Sequence, residues 1–67
     1  MITLTVNGQA RRIADSATVA ALLQDLGLTG KRLAVERNGE IVPKSRHRET
    51  ALAEGDELEI VVAVGGG

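Results

Sequence analysis

The residues of this chain best suited to chemistry stand at its end. Val64-Gly65-Gly66-Gly67 closes the sequence with consecutive glycines behind an aliphatic residue. Glycine loses more backbone freedom on ordering than any other residue, so such a run is expected to be a flexible tail. Without a Cβ it can enter a narrow channel and take the extended or positive-φ conformations that a foreign active site imposes. A carboxylate carried on that tail suits an enzyme with ATP, which would convert it to an acyl-adenylate open to a sulfur or amine nucleophile. Val61 and Ala63 are apolar where strand alternation predicts solvent. Together with Val64 they would form a docking patch on the activating enzyme. Frayed ends are usually polar and arbitrary in sequence, which this one is not. On this reading Gly67 bears the reactive group, Gly65 and Gly66 give it reach, and residues 1–64 form the domain that presents it.

Nothing else in the sequence builds a catalytic centre. There is no cysteine, which excludes thiol nucleophiles, disulfides and thiolate metal sites. A serine-histidine-acid triad would have to use the lone His47, and no nucleophile elbow accompanies it. His47 is read as a solvated residue of a charged loop. Asp56, Glu57 and Glu59 read as a turn residue and two outer-face strand charges rather than an acid/base pair. The basic set Lys44, Arg46 and Arg48 reads as a solvated loop, with an anion or partner site as the alternative. Asn7-Gly8 and Asn38-Gly39 are single-glycine turns, not phosphate-cradling loops. The expectation is a chain that is not itself an enzyme and binds no metal or cofactor.

A length of 67 residues permits one small domain. A domain near this size buries only about 60% of the surface its unfolded chain exposes. With no Phe, Tyr or Trp, the core must be packed from Val, Leu, Ile and Ala. The net charge of −1 and the missing aromatic platforms argue against nucleic acid as a partner. No apolar run reaches the length of a membrane span, and the N-terminus lacks the pattern of a secretory signal, so a cytoplasmic protein is expected.

The elements that would position the tail follow from periodicity. Ile2, Leu4 and Val6 alternate with Thr3 and Thr5 as in a half-buried strand, and Asn7-Gly8 is the dipeptide of a tight hairpin turn. Residues 9–14 return, with Ile13 inward and Arg11 exposed. Thr18, or alternatively Ser16, is placed to cap a helix whose stripe is Val19, Leu22, Leu23 and Leu26. Gly27 fits the left-handed position after it, with Leu28 folding back. Residues 31–37 form a third strand, Asn38-Gly39 a second hairpin turn, and residues 40–42 a short return ended by Pro43. Residues 44–53 form a charged loop with one helical turn, anchored by Leu52. Residues 57–64 form the last strand, with Leu58, Ile60, Val62 and Val64 on one face. The first and last strands, the most strongly alternating, belong side by side at the centre of a mixed sheet of four to five strands. One main helix covers its inner face, an α+β arrangement of the β-grasp kind, and Thr3, Thr5, Arg11 and Glu59 occupy the wet face.

The segments Val35-Glu36-Arg37-Asn38-Gly39-Glu40-Ile41-Val42-Pro43 and Gly55-Asp56-Glu57-Leu58-Glu59-Ile60-Val61, with the terminal Gly-Gly, resemble the thiamine-pathway sulfur carrier proteins over essentially the whole chain. The resemblance implies a ubiquitin-like fold. It also implies three partners: an adenylyltransferase of the ubiquitin-activating type that uses ATP, a sulfur donor protein, and thiazole synthase. Carried onto this sequence, it makes Gly67, preceded by Gly66, the residue that becomes a thiocarboxylate. Sulfur carriers for molybdopterin synthesis or tRNA thiolation, and ubiquitin-like modifiers, share the activation step. Molybdopterin carriers are usually longer, often with prolines before the tail, and here the only proline is Pro43. The loop Ser45-Arg46-His47-Arg48-Glu49 has no aromatic residue where relatives often carry one.

Overall fold

The computed structural model describes residues 1–63. The expectations for Val64, Gly65, Gly66 and Gly67 lie outside the described residues. The N-terminal alternation forms a hairpin in which β1 (Ile2–Val6) and β2 (Gln9–Ile13) pair antiparallel from Ile2↔Ile13 to Val6↔Gln9. A second hairpin joins β3 (Leu33–Arg37) to β4 (Glu40–Val42). Both turns have positive φ at their two central residues, Asn7 at 51° and Gly8 at 83°, Asn38 at 52° and Gly39 at 84°. That twist matches the flanking strands, and Asn and Gly are the residues that tolerate it. β5 (Glu57–Val62) lies between the hairpins, giving the order β2-β1-β5-β3-β4. It runs parallel to β1 and antiparallel to β3. β5 is thus the central strand with β1 at its side, as the alternation implies.

The helix α1 (Val19–Asp25) has its termini closed by different parts of the chain. Thr18 Oγ1 accepts from the Ala21 amide at 3.2 Å. The two remaining first-turn amides are met by the 44–50 loop: Val19 N–H donates to the Thr50 carbonyl at 3.0 Å and Ala20 N–H to that of His47 at 2.8 Å. At the other end Gly27 (φ 73°) donates to the Gln24 carbonyl and Leu28 to that of Leu23. This is a Schellman ending, which only a residue at ease with positive φ can make. A seven-residue helix would not persist alone. It is held because Val19, Leu22 and Leu23 pack on Leu4, Ile13, Val35, Leu58 and Ile60 of the sheet, with Leu52 from the loop completing the core.

Besides β2 and β5 ending at Ile13 and Val62, short of residues 14 and 64, three details differ from expectation. Register pairs Leu4 with Arg11, so Arg11 shares the helix-side face with Ile13, two residues on, and its guanidinium reaches Asp25 of α1 at 3.3 Å. Parity along the strand decides this over polarity, and Ala10 and Arg12 take the wet face instead. His47 is buried, at 7% exposure, rather than solvated. The loop it belongs to, with a 3₁₀ turn over Lys44–Arg46, folds across the start of α1 to supply the capping carbonyls. The ring is carried inside, where Nε2 donates to the Val42 carbonyl at 3.0 Å. The third strand begins at Leu33 rather than Lys31, because a turn closed by Lys31 N–H on the Leu28 carbonyl, with Gly30 at φ 83°, precedes it.

With no aromatic residue to widen the core, each leucine in it counts heavily. Leu22→Ala is expected to destabilise the fold by about 2–5 kcal/mol, and Thr18→Ala by about 1 kcal/mol. Urea titration followed by far-ultraviolet circular dichroism would measure both, and equal effects would contradict this account of the helix.

Candidate functional site

β5 leads to the tail, so the site begins with what fixes that strand. On the β1 side the parallel ladder is short, with register pairs only at Thr5↔Glu57 and Val6↔Leu58. Asn7 extends it. Its main-chain N–H donates to the Leu58 carbonyl at 2.8 Å. Its side-chain amide then does what a further strand residue would do. Nδ2 donates to the Ile60 carbonyl at 3.1 Å, and Oδ1 accepts from the Ile60 amide at 2.8 Å. On the β3 side Asn38 makes the counterpart clamp. Its main-chain N–H donates to the Glu57 carbonyl at 2.8 Å and Oδ1 accepts from the Glu57 amide at 2.9 Å. Both asparagines of the Asn-Gly turns therefore hold β5 as well as shaping their hairpins. The sequence identifies them only as turn residues.

The start of β5 is fixed by Asp56, which is 6% exposed. One carboxylate oxygen accepts from Arg37 Nε at 2.8 Å and from the Ala53 amide at 2.8 Å; the other accepts from Asn38 Nδ2 at 3.0 Å. Burial pushes its carboxyl up, but hydrogen bonds from Asn38, the Ala53 amide and Arg37, with the charge of Arg37, outweigh that and hold it below the ordinary carboxylate range. Asp56 does close the turn after Gly55, through its main-chain N–H on the Ala53 carbonyl. It is also a buried anchor, which the reading as a plain turn residue missed. The signal was available as a carboxylate placed directly before the most apolar strand.

Past Ile60 the support becomes one-sided. β1 has ended, and β3 alone continues beside β5 through Ala34↔Val61 and Leu33↔Val62. The last described bond is from the Ala63 amide to the Arg32 carbonyl at 2.9 Å. Leu58 and Ile60 point into the core and Val62 is half-buried, while Val61 is 66% exposed and Ala63 is exposed. Exposed Ala34 is the cross-strand partner of Val61, and Ile41 on β4, 63% exposed, faces Glu36 in the next row. The end of the central strand thus presents apolar side chains to water on the face away from α1. Glu36, Glu57 and Glu59 share that face closer to the strand's start. Val61 and Ala63 stand as the alternation implies. Val64, Gly65, Gly66 and Gly67 lie beyond the described residues. Among the described residues no group of three His, Cys, Asp or Glu side chains could hold a metal, and no helix is long and apolar enough to cross a membrane.

A five-stranded mixed sheet under one helix, its central strand ending in exposed apolar side chains, is a β-grasp domain. Comparison with known proteins gives the family. The ThiS family model matches residues 4–67. The chain is 45% identical over 53 residues to the sulfur carrier protein ThiS of Bacillus subtilis, covering 79% of this chain and 80% of that protein. It superimposes on the crystal structure of the thiamine biosynthesis protein ThiS from Geobacter metallireducens with a TM-score of 0.83, at 33% identity, over 98% of this chain and 100% of that one. The chain belongs to the ThiS family, the sulfur carrier proteins of thiamine biosynthesis. It is also 52% identical over 64 residues, 96% of its length, to a thiazole synthase of Paramagnetospirillum magneticum, of which it spans only 20%.

The Asp56 clamp gives the fold an acid-sensitive joint. A carboxyl held below its unfolded value stabilises the fold above that value, about 4, and the contribution is lost as pH falls through the folded one. Stability measured by urea titration should therefore fall on acidification below about pH 4. The Asp56→Asn variant should be less stable at neutral pH and lose less on acidification. An identical acid limb in the two proteins would remove Asp56 from this role.

Proposed function

We propose that this chain carries sulfur for thiazole formation as a thiocarboxylate on Gly67. An adenylyltransferase of the ubiquitin-activating type joins the Gly67 carboxylate to AMP, releasing pyrophosphate from ATP. Sulfide-level sulfur supplied through a sulfur donor protein attacks the acyl carbonyl, the acyl–phosphate bond breaks to release AMP, and sulfur stands in place of one carboxylate oxygen. Thiazole synthase passes that sulfur to its substrate, and an oxygen from the substrate or from water restores the Gly67 carboxylate. The chain supplies no catalytic group to these steps. Its part is to present the tail, with Gly65 and Gly66 giving reach and Val61, Ala63 and Val64 docking on partners.

The observation that carries this reading is that the family match extends through the terminal glycines to residue 67. The exposed apolar end of β5 supports it, because Val61 and Ala63, left in water at the end of the central strand, have no packing purpose within the domain. A relative named thiazole synthase that contains a segment like this chain supports thiazole formation over molybdopterin synthesis or tRNA thiolation. Joining the two activities in one polypeptide would raise their effective concentration.

Incubation with ATP, the adenylyltransferase and a sulfur source should raise the intact mass by the difference between sulfur and oxygen. No change under conditions where the Bacillus subtilis protein reacts would overturn the proposal. Deleting Gly66 and Gly67, or extending the chain past Gly67, should abolish the conversion while the circular dichroism spectrum stays the same. Val61→Asp should slow it without unfolding the domain. Sulfur transfer only to a molybdopterin synthase subunit, or isopeptide-linked Gly67 on other proteins, would replace thiazole formation as the destination.

A further inference from the structure

On the helix side, away from the apolar end of β5, a groove of about 300 Å³ runs between the turn after α1 and the 44–48 loop. Its apolar surface comes from Leu23, Leu28 and Leu33, of which Leu28 and Leu33 are only half-buried. Its cations are Lys31, Arg32, Lys44 and Arg48, all exposed. These are four of the eight Lys and Arg residues in a chain of net charge −1. No acidic residue lines the groove, and none of the four cations makes an ion pair among the described residues. Of the four arginines elsewhere, three find acids: Arg11 meets Asp25, Arg37 meets Asp56 and Arg46 meets Glu49.

Gathering like charges around an apolar trough adds repulsion and contributes nothing to the core, so its use lies in an occupant. We propose that this groove docks an acidic segment of a protein partner, an extended stretch that places aliphatic side chains on Leu28 and Leu33 and carboxylates against the surrounding cations. The apolar floor selects for a peptide rather than a bare anion, which would leave the leucines uncovered. A single-stranded nucleic acid would find no aromatic stacking surface, and a duplex backbone would meet a chain of net charge −1. The position is also telling. The Arg32 carbonyl accepts from the Ala63 amide, so the groove wall and the base of the tail are joined by one hydrogen bond. A partner seated in the groove is held beside the start of the tail, on the opposite face from the apolar strand end. The inference does not depend on what chemistry Gly67 undergoes.

The test is a titration of the isotopically labelled full chain, followed by amide chemical shifts, with the blocked peptide acetyl-Glu-Leu-Glu-Leu-Glu-amide. Shifts should concentrate in residues 28–33 and 44–48 and weaken as salt is raised. The double variant K31E/R48E should keep its dispersed spectrum and lose affinity on the order of tenfold. A lysine-for-glutamate version of the peptide should not bind. The proposal is overturned by no shift at millimolar peptide, by shifts centred on the sheet's outer face, or by equal binding of the lysine peptide. Inorganic phosphate alone reproducing the pattern would make the groove an anion site and also overturn it. So would concentration-dependent shifts in both faces without peptide, which would mean that a second copy is the occupant.

Discussion

The central strand is held by side chains that imitate main chain, and the rest of the structure depends on this. β1 is too short to accompany β5 along its whole length, and Asn7 bridges the shortfall with an amide that donates and accepts as a peptide group does. From the other hairpin Asn38 accepts from the Glu57 amide through Oδ1, donates to the Glu57 carbonyl through its main-chain N–H, and engages Asp56 through Nδ2. A buried main-chain group left without a partner costs about as much as a lost hydrogen bond. These two residues therefore decide where β5 is fixed and where it is released. The release point, after Ile60, is also where the outward side chains change from carboxylates to apolar groups.

Much of this was legible in the sequence because short-range signals agreed with one another. Alternation over Ile2 to Val6 and over Glu57 to Val62 located the two best strands, and the Asn-Gly dipeptides located both hairpin turns with their positive φ. Thr18, the Leu22 and Leu23 stripe and Gly27 gave the limits of α1. What escaped was long-range. The burial of His47 follows from a loop supplying carbonyls to a helix start almost thirty residues earlier in the chain, and no local pattern encodes that. The role of Asp56 needs Arg37 and Asn38 brought to it across the sheet. Arg11 was placed on the wrong face because its charge was weighed above its parity with Ile13. The apolar exposure of Val61 and Ala63 could be read in advance, since strand parity is a local property once the core face is known.

An aliphatic core of this size is economical but leaves little surface for function. The chain divides that surface by face. The sheet's outer side combines acidic residues with the apolar strand end, while the helix side gathers cations around Leu28 and Leu33. Two faces of opposite character flank one tail base. Charge patterns that differ from face to face steer different encounters, so the two faces can be approached by different partners.

The sheet order also bears on how the protein is made. The two hairpins are not neighbours in the sheet; each is joined to it through β5. During synthesis both are complete before residue 57 is added, yet they remain unconnected ribbons, and an isolated hairpin has marginal stability in water. The strand that unites them follows both in chain order, so the native sheet can close only after β5 has left the ribosome. A chain interrupted before β5 would lose the sheet as a whole rather than one strand of it, and would be left for proteolysis. The strand with the exposed apolar end is therefore the same one that completes the sheet.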